Sequence, residues 1–140
     1  MKSKTIQAVV FTGVFSTVVM APALAHETPT APADWLAKTS PYTADDLDMK
    51  KVKKLYKRKC KKCHGSKGNG KGSGAQDLEI KPPDFTVPEY KNRKDGQMFW
   101  IMMNGSEGTD MEKYGPGTYA NISEDDLWKL VTYIKAVFPK

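Results

Sequence analysis

The sequence predicts an all-α protein with three main helices joined by loops. Two segments, about 43–62 and 123–138, carry apolar residues at helical spacing, and a third, 95–104, is apolar on most sides. Each begins at a residue type that favours a helix N-terminus. No segment shows the alternation of apolar and polar residues that predicts a strand, and 140 residues leave room for one domain.

Residues 1–25 predict a secretory signal peptide. Two lysines precede an almost wholly apolar run over residues 6–20, and small residues at positions 23 and 25 form a cleavage signal. The alternative is an uncleaved membrane anchor, but the apolar run is shorter than the ~20 residues that a spanning helix needs. We therefore expect cleavage after Ala25, a periplasmic protein that begins at His26, and no stable membrane insertion of the mature chain.

An extended segment is expected over residues 26–42, which are rich in proline, alanine and threonine and lead into a domain over residues 43–140. Trp35 is expected to anchor this segment by packing. The first helix should then begin at Thr43, because Asp46 stands three residues on and completes a capping box. Its buried stripe is expected to contain Leu47, Val52, Leu55 and Tyr56.

The second and third helices follow a glycine-rich loop over residues 65–88. This loop lacks the preceding strand and the Gly-Lys-Ser/Thr end of a phosphate-binding loop, so we interpret it as a surface loop whose backbone passes close to a cofactor. The second helix should start with Asp95 as N-cap and be buried, and the third should start with Ser123 as N-cap. The buried face of the third helix is expected to contain Leu127, Leu130, Val131, Ile134 and Val137.

The strongest chemical signal is the run Cys60-Lys61-Lys62-Cys63-His64 at the end of the first helix. A disulfide across this spacing would be strained, and a thioredoxin-like site would need a strand–helix–strand context that the sequence lacks. Zinc would need four ligands, and the chain adds only the remote second histidine at position 26. Haem attachment uses all three residues: the two thiols form thioethers with the haem vinyl groups, and the imidazole becomes an axial iron ligand. We therefore predict one covalently bound haem c.

A methionine is expected as the second axial ligand, because His26 would lie at the mature terminus. Four of the five methionines after residue 25 fall on predicted helices, where methionine usually packs. Met111 instead stands between two acidic residues in a glycine-rich polar loop. We predict Met111 as the sixth ligand, with Met102 or Met103 as the alternatives. A histidine–methionine pair favours ferrous iron and fills its coordination sphere, which implies electron transfer rather than oxygen or peroxide chemistry.

With these features, the sequence resembles the class I cytochrome c family over most of residues 43–138. Tyr56, four residues before the first cysteine, and Tyr133, near the chain end, are similar to the aromatic pair where the family's N-terminal and C-terminal helices cross. The segment that contains Met111 is similar to the family's sixth-ligand segment, although Glu112 stands where the family often has proline.

This resemblance implies a cytochrome c-type fold, in which helices and loops wrap around one haem. It also implies that the carbonyl of Pro82 or Pro83 accepts a hydrogen bond from the His64 imidazole, which would orient the ring and raise its basicity.

Basic residues are concentrated next to the cysteine motif. Nine of the 13 residues from Lys50 to Lys62 are Lys or Arg, whereas the formal net charge is +6, or +4 without the two lysines of the leader. A charge run is usually a solvated helix face. This one ends on the motif, so we predict that it steers an acidic redox protein toward the haem edge. Nucleic acid is an implausible partner for an exported protein.

Three functions fit these features: a freely diffusing single-electron carrier, a haem subunit bound to a partner dehydrogenase, and a haem enzyme or sensor with an open iron site. Ligation by His64 and Met111 favours the first, because both axial positions would be filled. We therefore expect a monomeric electron carrier that is not itself an enzyme.

Overall fold

The computed structural model describes residues 28–140, so the predicted signal peptide, its cleavage site and His26 lie outside the described part of the chain. Within residues 28–140 the chain forms five α-helices and three short 3₁₀ turns, and no strand. The helices are α1 (Ala33–Leu36), α2 (Met49–Lys59), α3 (Lys61–His64), α4 (Asp95–Asn104) and α5 (Glu124–Val137). The 3₁₀ turns are Ala44–Asp46, Ser73–Ala75 and Pro88–Asn92. The all-α prediction is confirmed.

The first predicted helix is three elements rather than one. Asp46 accepts hydrogen bonds from the Thr43 N–H and hydroxyl, both at 2.7 Å, but this capping box starts only the short 3₁₀ turn. A second cap, Asp48, accepts a hydrogen bond from the Lys51 N–H at 3.0 Å, and α2 begins directly after it. The predicted helix start at Thr43 is therefore wrong, because a second short acidic side chain competes for backbone N–H groups and restarts the helix.

Helices α2 and α5 pack against each other at the centre of the core. The predicted aromatic pair is present there: the rings of Tyr56 and Tyr133 have centroids 5.8 Å apart. The predicted stripe of α2 and the predicted face of α5 are buried, except that Val137 is 45% exposed. Phe138, the C-cap of α5, has its ring centroid 5.0 Å from that of Tyr56. It therefore covers this end of the core in place of Val137.

The segment before α2 packs on α4 and is not extended throughout, because it contains α1. Trp35 stacks on Phe99 with ring centroids 5.6 Å apart, as its predicted packing role requires. The buried Gln97 amide donates to the Pro29 carbonyl and accepts from the Ala31 N–H, both at 2.9 Å. These contacts hold α4 between the N-terminal segment and α5, and thereby fix the wall that α4 contributes to the site.

Helix α4 has the predicted range, but Asp95 is its first residue and Lys94 occupies the N-cap position. The Asp95 carboxylate is not free to cap, because it accepts a hydrogen bond from the Ser40 N–H at 2.9 Å and pairs with Lys135 of α5. Ser123 does cap α5, accepting from the Asp126 N–H at 3.1 Å. No helix within residues 28–140 combines the length and apolar character needed to cross a bilayer.

Candidate cofactor site

One cavity, of about 240 Å³, brings the predicted site residues together. Cys60, Cys63 and His64 line one side of it, and Met111, which is distant in the sequence, also lines it. Most of the remaining wall is apolar and comes from residues 78–85, α4 and α5. The arrangement therefore suits a large, mainly apolar group held covalently at one edge.

The two cysteines are unbonded to each other. Burial, with a smaller contribution from Cys63, raises the pKa of the Cys60 thiol to about 12. A thiol that stays protonated at neutral pH does not suit a thioredoxin-like reaction, which depends on a thiolate. Within residues 28–140, no group of three or more His, Cys, Asp or Glu side chains could hold a metal ion, so the zinc alternative gains no support.

The His64 imidazole is fixed against the apolar wall. It stacks on Phe85 with centroids 4.6 Å apart and an interplanar angle of 15°. Burial lowers its pKa to about 4, so the ring is neutral at pH 7, the form that binds iron. Its Nδ1 atom is buried without a hydrogen-bond partner, so the predicted bond to the Pro82 or Pro83 carbonyl is not formed in this structure. A neutral, half-buried imidazole that lines the cavity and is held by stacking on Phe85 fits an axial ligand.

The glycine-rich loop supports the cysteine motif from outside the cavity. The Gly70 and Gly72 N–H groups donate to the carbonyls of His64 and Cys63, both at 3.0 Å. A Cβ on Gly72 would lie 2.1 Å from the Lys62 carbonyl oxygen, so only glycine allows this approach. The loop was expected to pass close to the cofactor, and the structure shows these glycines against the backbone of the motif.

Met111 is half-buried and its backbone is held on both sides. Its N–H donates to Thr109 Oγ1 at 3.1 Å, and its carbonyl accepts from the Ser106 N–H at 2.9 Å. Of the two alternatives, Met102 also lines the cavity. The Met103 sulfur instead packs against Gly115, so closely that a Cβ added to this glycine would come within 2.6 Å of it. The position of Met102 therefore keeps it as the rival to Met111.

The sequence places Lys81 among the basic residues that follow the motif, and the structure puts it on the cavity wall. Three other polar residues that line the cavity were missed, namely Tyr90, Arg93 and Tyr114. The Arg93 guanidinium lies 5.1 Å from the centroid of the Tyr90 ring. The Lys81 ammonium donates to two backbone carbonyls of the turn at residues 73–76. Burial raises the pKa of Tyr114, whose side chain lines the same cavity as the two cysteines. Only Tyr114, three residues after Met111, could have been suspected from its sequence position.

A helical fold with a Cys-x-x-Cys-His motif facing an apolar cavity defines a protein that holds haem c covalently. The family model described as cytochrome c matches residues 49–138, which is more than half of the chain. The chain therefore belongs to the cytochrome c family, and the resemblance to class I members is confirmed. Membership implies covalent haem c and a role in electron transfer.

Solved structures show the same fold. A chain of the reducing HAO-like protein complex of Kuenenia stuttgartiensis is 30% identical, with a TM-score of 0.53 over 64% of this chain and 43% of that one. Cytochrome cL from the marine methylotrophic bacterium Methylophaga aminisulfidivorans is 22% identical, with a TM-score of 0.53 over 71% of this chain and 61% of that one. This chain thus spans less than two thirds of either. No curated protein matches it.

Proposed function

We propose that this protein is a periplasmic single-electron carrier with one haem c, attached through Cys60 and Cys63 and ligated by His64 and Met111. The observation that carries the proposal is the single cavity lined by all four residues. When bound, haem supplies an iron that cycles between the ferric and ferrous states. Since both axial positions would be taken by protein ligands, the chain acts as a carrier and not as an enzyme.

The cavity residues have distinct roles in this proposal. The Met111 thioether and the neutral His64 imidazole would hold the iron, and a thioether ligand would favour its ferrous state. Apolar side chains from α4 and α5 exclude water, which disfavours the extra positive charge of the ferric state. Lys81 and Arg93 are the basic side chains on the wall, and they suit the two carboxylates that every haem carries.

The proposed location follows from the leader, and the proposed partner follows from the basic residues beside the cysteine motif. The leader over residues 1–25 would send the chain to the periplasm, where cleavage after Ala25 leaves a monomeric protein. Nearly all the basic side chains from Lys50 to Lys62 are exposed, so they are available to an acidic redox partner. Because a charged surface mainly raises the rate at which two proteins associate, the complex is expected to be weak and sensitive to salt.

A haem subunit of a larger assembly is the second candidate. One solved structure with the same fold is a chain of a protein complex, and this chain covers 43% of that matching chain. Purification separates the two functions: a carrier elutes alone, whereas a subunit co-elutes with a larger protein. The third candidate is a haem enzyme or sensor whose iron keeps an open coordination position.

Carrier function predicts a reversible one-electron titration and no carbon monoxide binding by the reduced wild-type protein. The reason is that both axial positions are occupied by His64 and Met111. The measurement is a potentiometric titration followed optically, then exposure of the ferrous protein to carbon monoxide. Stoichiometric binding of the gas to the wild type at neutral pH would contradict the proposal and favour the open-site alternative.

Steering by the lysines predicts opposite salt effects on two small redox reagents. Oxidation of the ferrous protein by the ferricyanide anion should slow by about tenfold between low and physiological salt, while oxidation by a cationic cobalt complex should not slow. Exchanging Lys61 and Lys62 for glutamine should weaken the dependence on salt, whereas exchanging Lys140 should not. A ferricyanide rate that is flat with ionic strength would overturn the steering proposal.

A further inference from the structure

Tyr119 is the most exposed large hydrophobic residue of the described chain. Its side chain is fully exposed, at 101% of the reference area, so it contributes no packing to the fold. It lies in the loop over residues 115–121, which we call the Tyr119 loop. Met49, Val87 and Val137 are the other exposed large hydrophobic residues, and they keep far more of their surface covered, with exposures of 37–45%.

The Tyr119 loop is rigidly held, although its tip is in solvent. The Gly117 N–H donates to Asn121 Oδ1 at 3.1 Å, and the Asn121 N–H donates to Thr118 Oγ1 at 3.3 Å. The Thr118 hydroxyl also donates to the Gly115 carbonyl at 2.7 Å. Asn121 has a φ of +45°, in the left-handed region that asparagine adopts more readily than most residues other than glycine, which suits its place in this turn.

The base of the loop is part of the cofactor cavity. The Ile122 N–H donates to the Tyr114 carbonyl at 2.9 Å and closes the loop, and both of these residues line the cavity. Cys60 and Cys63 line the same cavity as Tyr114. The loop therefore leaves the cavity wall beside the edge where the haem would be attached.

The loop is also joined to the basic segment. The Lys59 ammonium, next to Cys60, donates to the Ala120 carbonyl at 3.2 Å. On either side of Lys59 the basic residues Lys57, Arg58, Lys61 and Lys62 are exposed. An exposed aromatic ring on a rigid loop thus lies next to a cluster of free positive charges at the attachment edge.

We propose that Tyr119 and the lysines around Cys60 form the docking surface for the redox partner, a protein with an apolar depression surrounded by aspartate and glutamate. This inference rests on the proposed electron-carrier function and names the partner's chemistry. The lysines steer the acidic rim, and the tyrosine ring fills the depression. Because hydrogen bonds already hold the loop on either side of Tyr119, docking orders little more than its side chain. A tyrosine has only two side-chain torsions, so this ordering costs little conformational entropy.

Electrodes with defined coatings test this surface without a known partner. The probes are gold coated with a carboxylate-terminated alkanethiol, and gold coated with a mixture of carboxylate-terminated and methyl-terminated alkanethiols. The haem-loaded wild type is compared with Tyr119→Ser, with Tyr119→Phe, which keeps the ring, and with Val137→Ser, an exposed apolar control on α5. Cyclic voltammetry gives the protein concentration for half-maximal coverage.

On the mixed coating, Tyr119→Ser should raise this concentration by about fivefold, the size of a modest hot-spot loss. Tyr119→Phe and Val137→Ser should change it by less than about twofold, and the carboxylate coating should not distinguish Tyr119→Ser from the wild type. Equal coverage by wild type and Tyr119→Ser on the mixed coating, or an equal loss for Val137→Ser, would overturn the inference. Absence of a reversible wave for the wild type on both coatings would instead contradict the electron-carrier function.

Discussion

Replacing Met111 with alanine should lower the reduction potential of the haem by on the order of 0.2 V, within the ~0.8 V range that axial ligands set. Loss of the thioether removes the ligand that favours ferrous iron, so the ferric state is relatively stabilised. The reduced variant should also bind carbon monoxide, because one axial position is open to external ligands. Potentiometric titration of the variant beside the wild type measures the first effect, and the gas difference spectrum measures the second.

Met102→Ala is the matched control, because Met102 also lines the cavity and lies on α4. A packing methionine should leave the potential nearly unchanged and cost about 2–5 kcal/mol of stability at most. If Met102→Ala produced the large fall in potential and Met111→Ala did not, the sixth-ligand assignment would pass to Met102.

Exchange of both Cys60 and Cys63 for alanine should abolish covalent haem attachment, so that denatured protein shows the mass of the polypeptide alone. The thioethers need both sulfurs, and each single variant should retain one bond at most. Mass spectrometry under denaturing conditions measures the attached haem directly and also counts it, with one haem per chain expected for the wild type.

Lys61→Ala and Lys62→Ala together provide the control, since these residues lie between the cysteines and leave their spacing intact. This variant should carry the full haem mass. Covalent haem on the variant without cysteines, or its absence from the wild type, would contradict the assigned attachment.

The helices that the sequence predicts well are those with one clear start. Ser123 alone caps α5, and its apolar face follows at regular spacing, so its start is correct. The first helix fails because Asp46 and Asp48 both act as caps, and local propensity alone does not distinguish which of them starts the long helix. The short α1 was missed because its Trp35 packs on Phe99, a tertiary contact that overrides a composition favouring extended chain.

The residues of the site also differ in how well the sequence predicts them. Cys60, Cys63 and His64 are predictable because their chemistry requires adjacent positions. Met111 was predicted from its unusual polar surroundings, and the structure places it on the same cavity, although its ligand role stays a prediction. Arg93 could not be found, because it reaches the cavity only through the folded path of the turn before α4.

An absorption spectrum of the ferric protein, recorded for the wild type, Met111→Ala and Met102→Ala, tests the central claim most directly. Axial ligation by His64 and Met111 predicts that the weak methionine-to-Fe(III) band is present in the wild type and in Met102→Ala, and that it disappears in Met111→Ala. Survival of the band in Met111→Ala would contradict the assignment of Met111 as the ligand that makes this cytochrome an electron carrier.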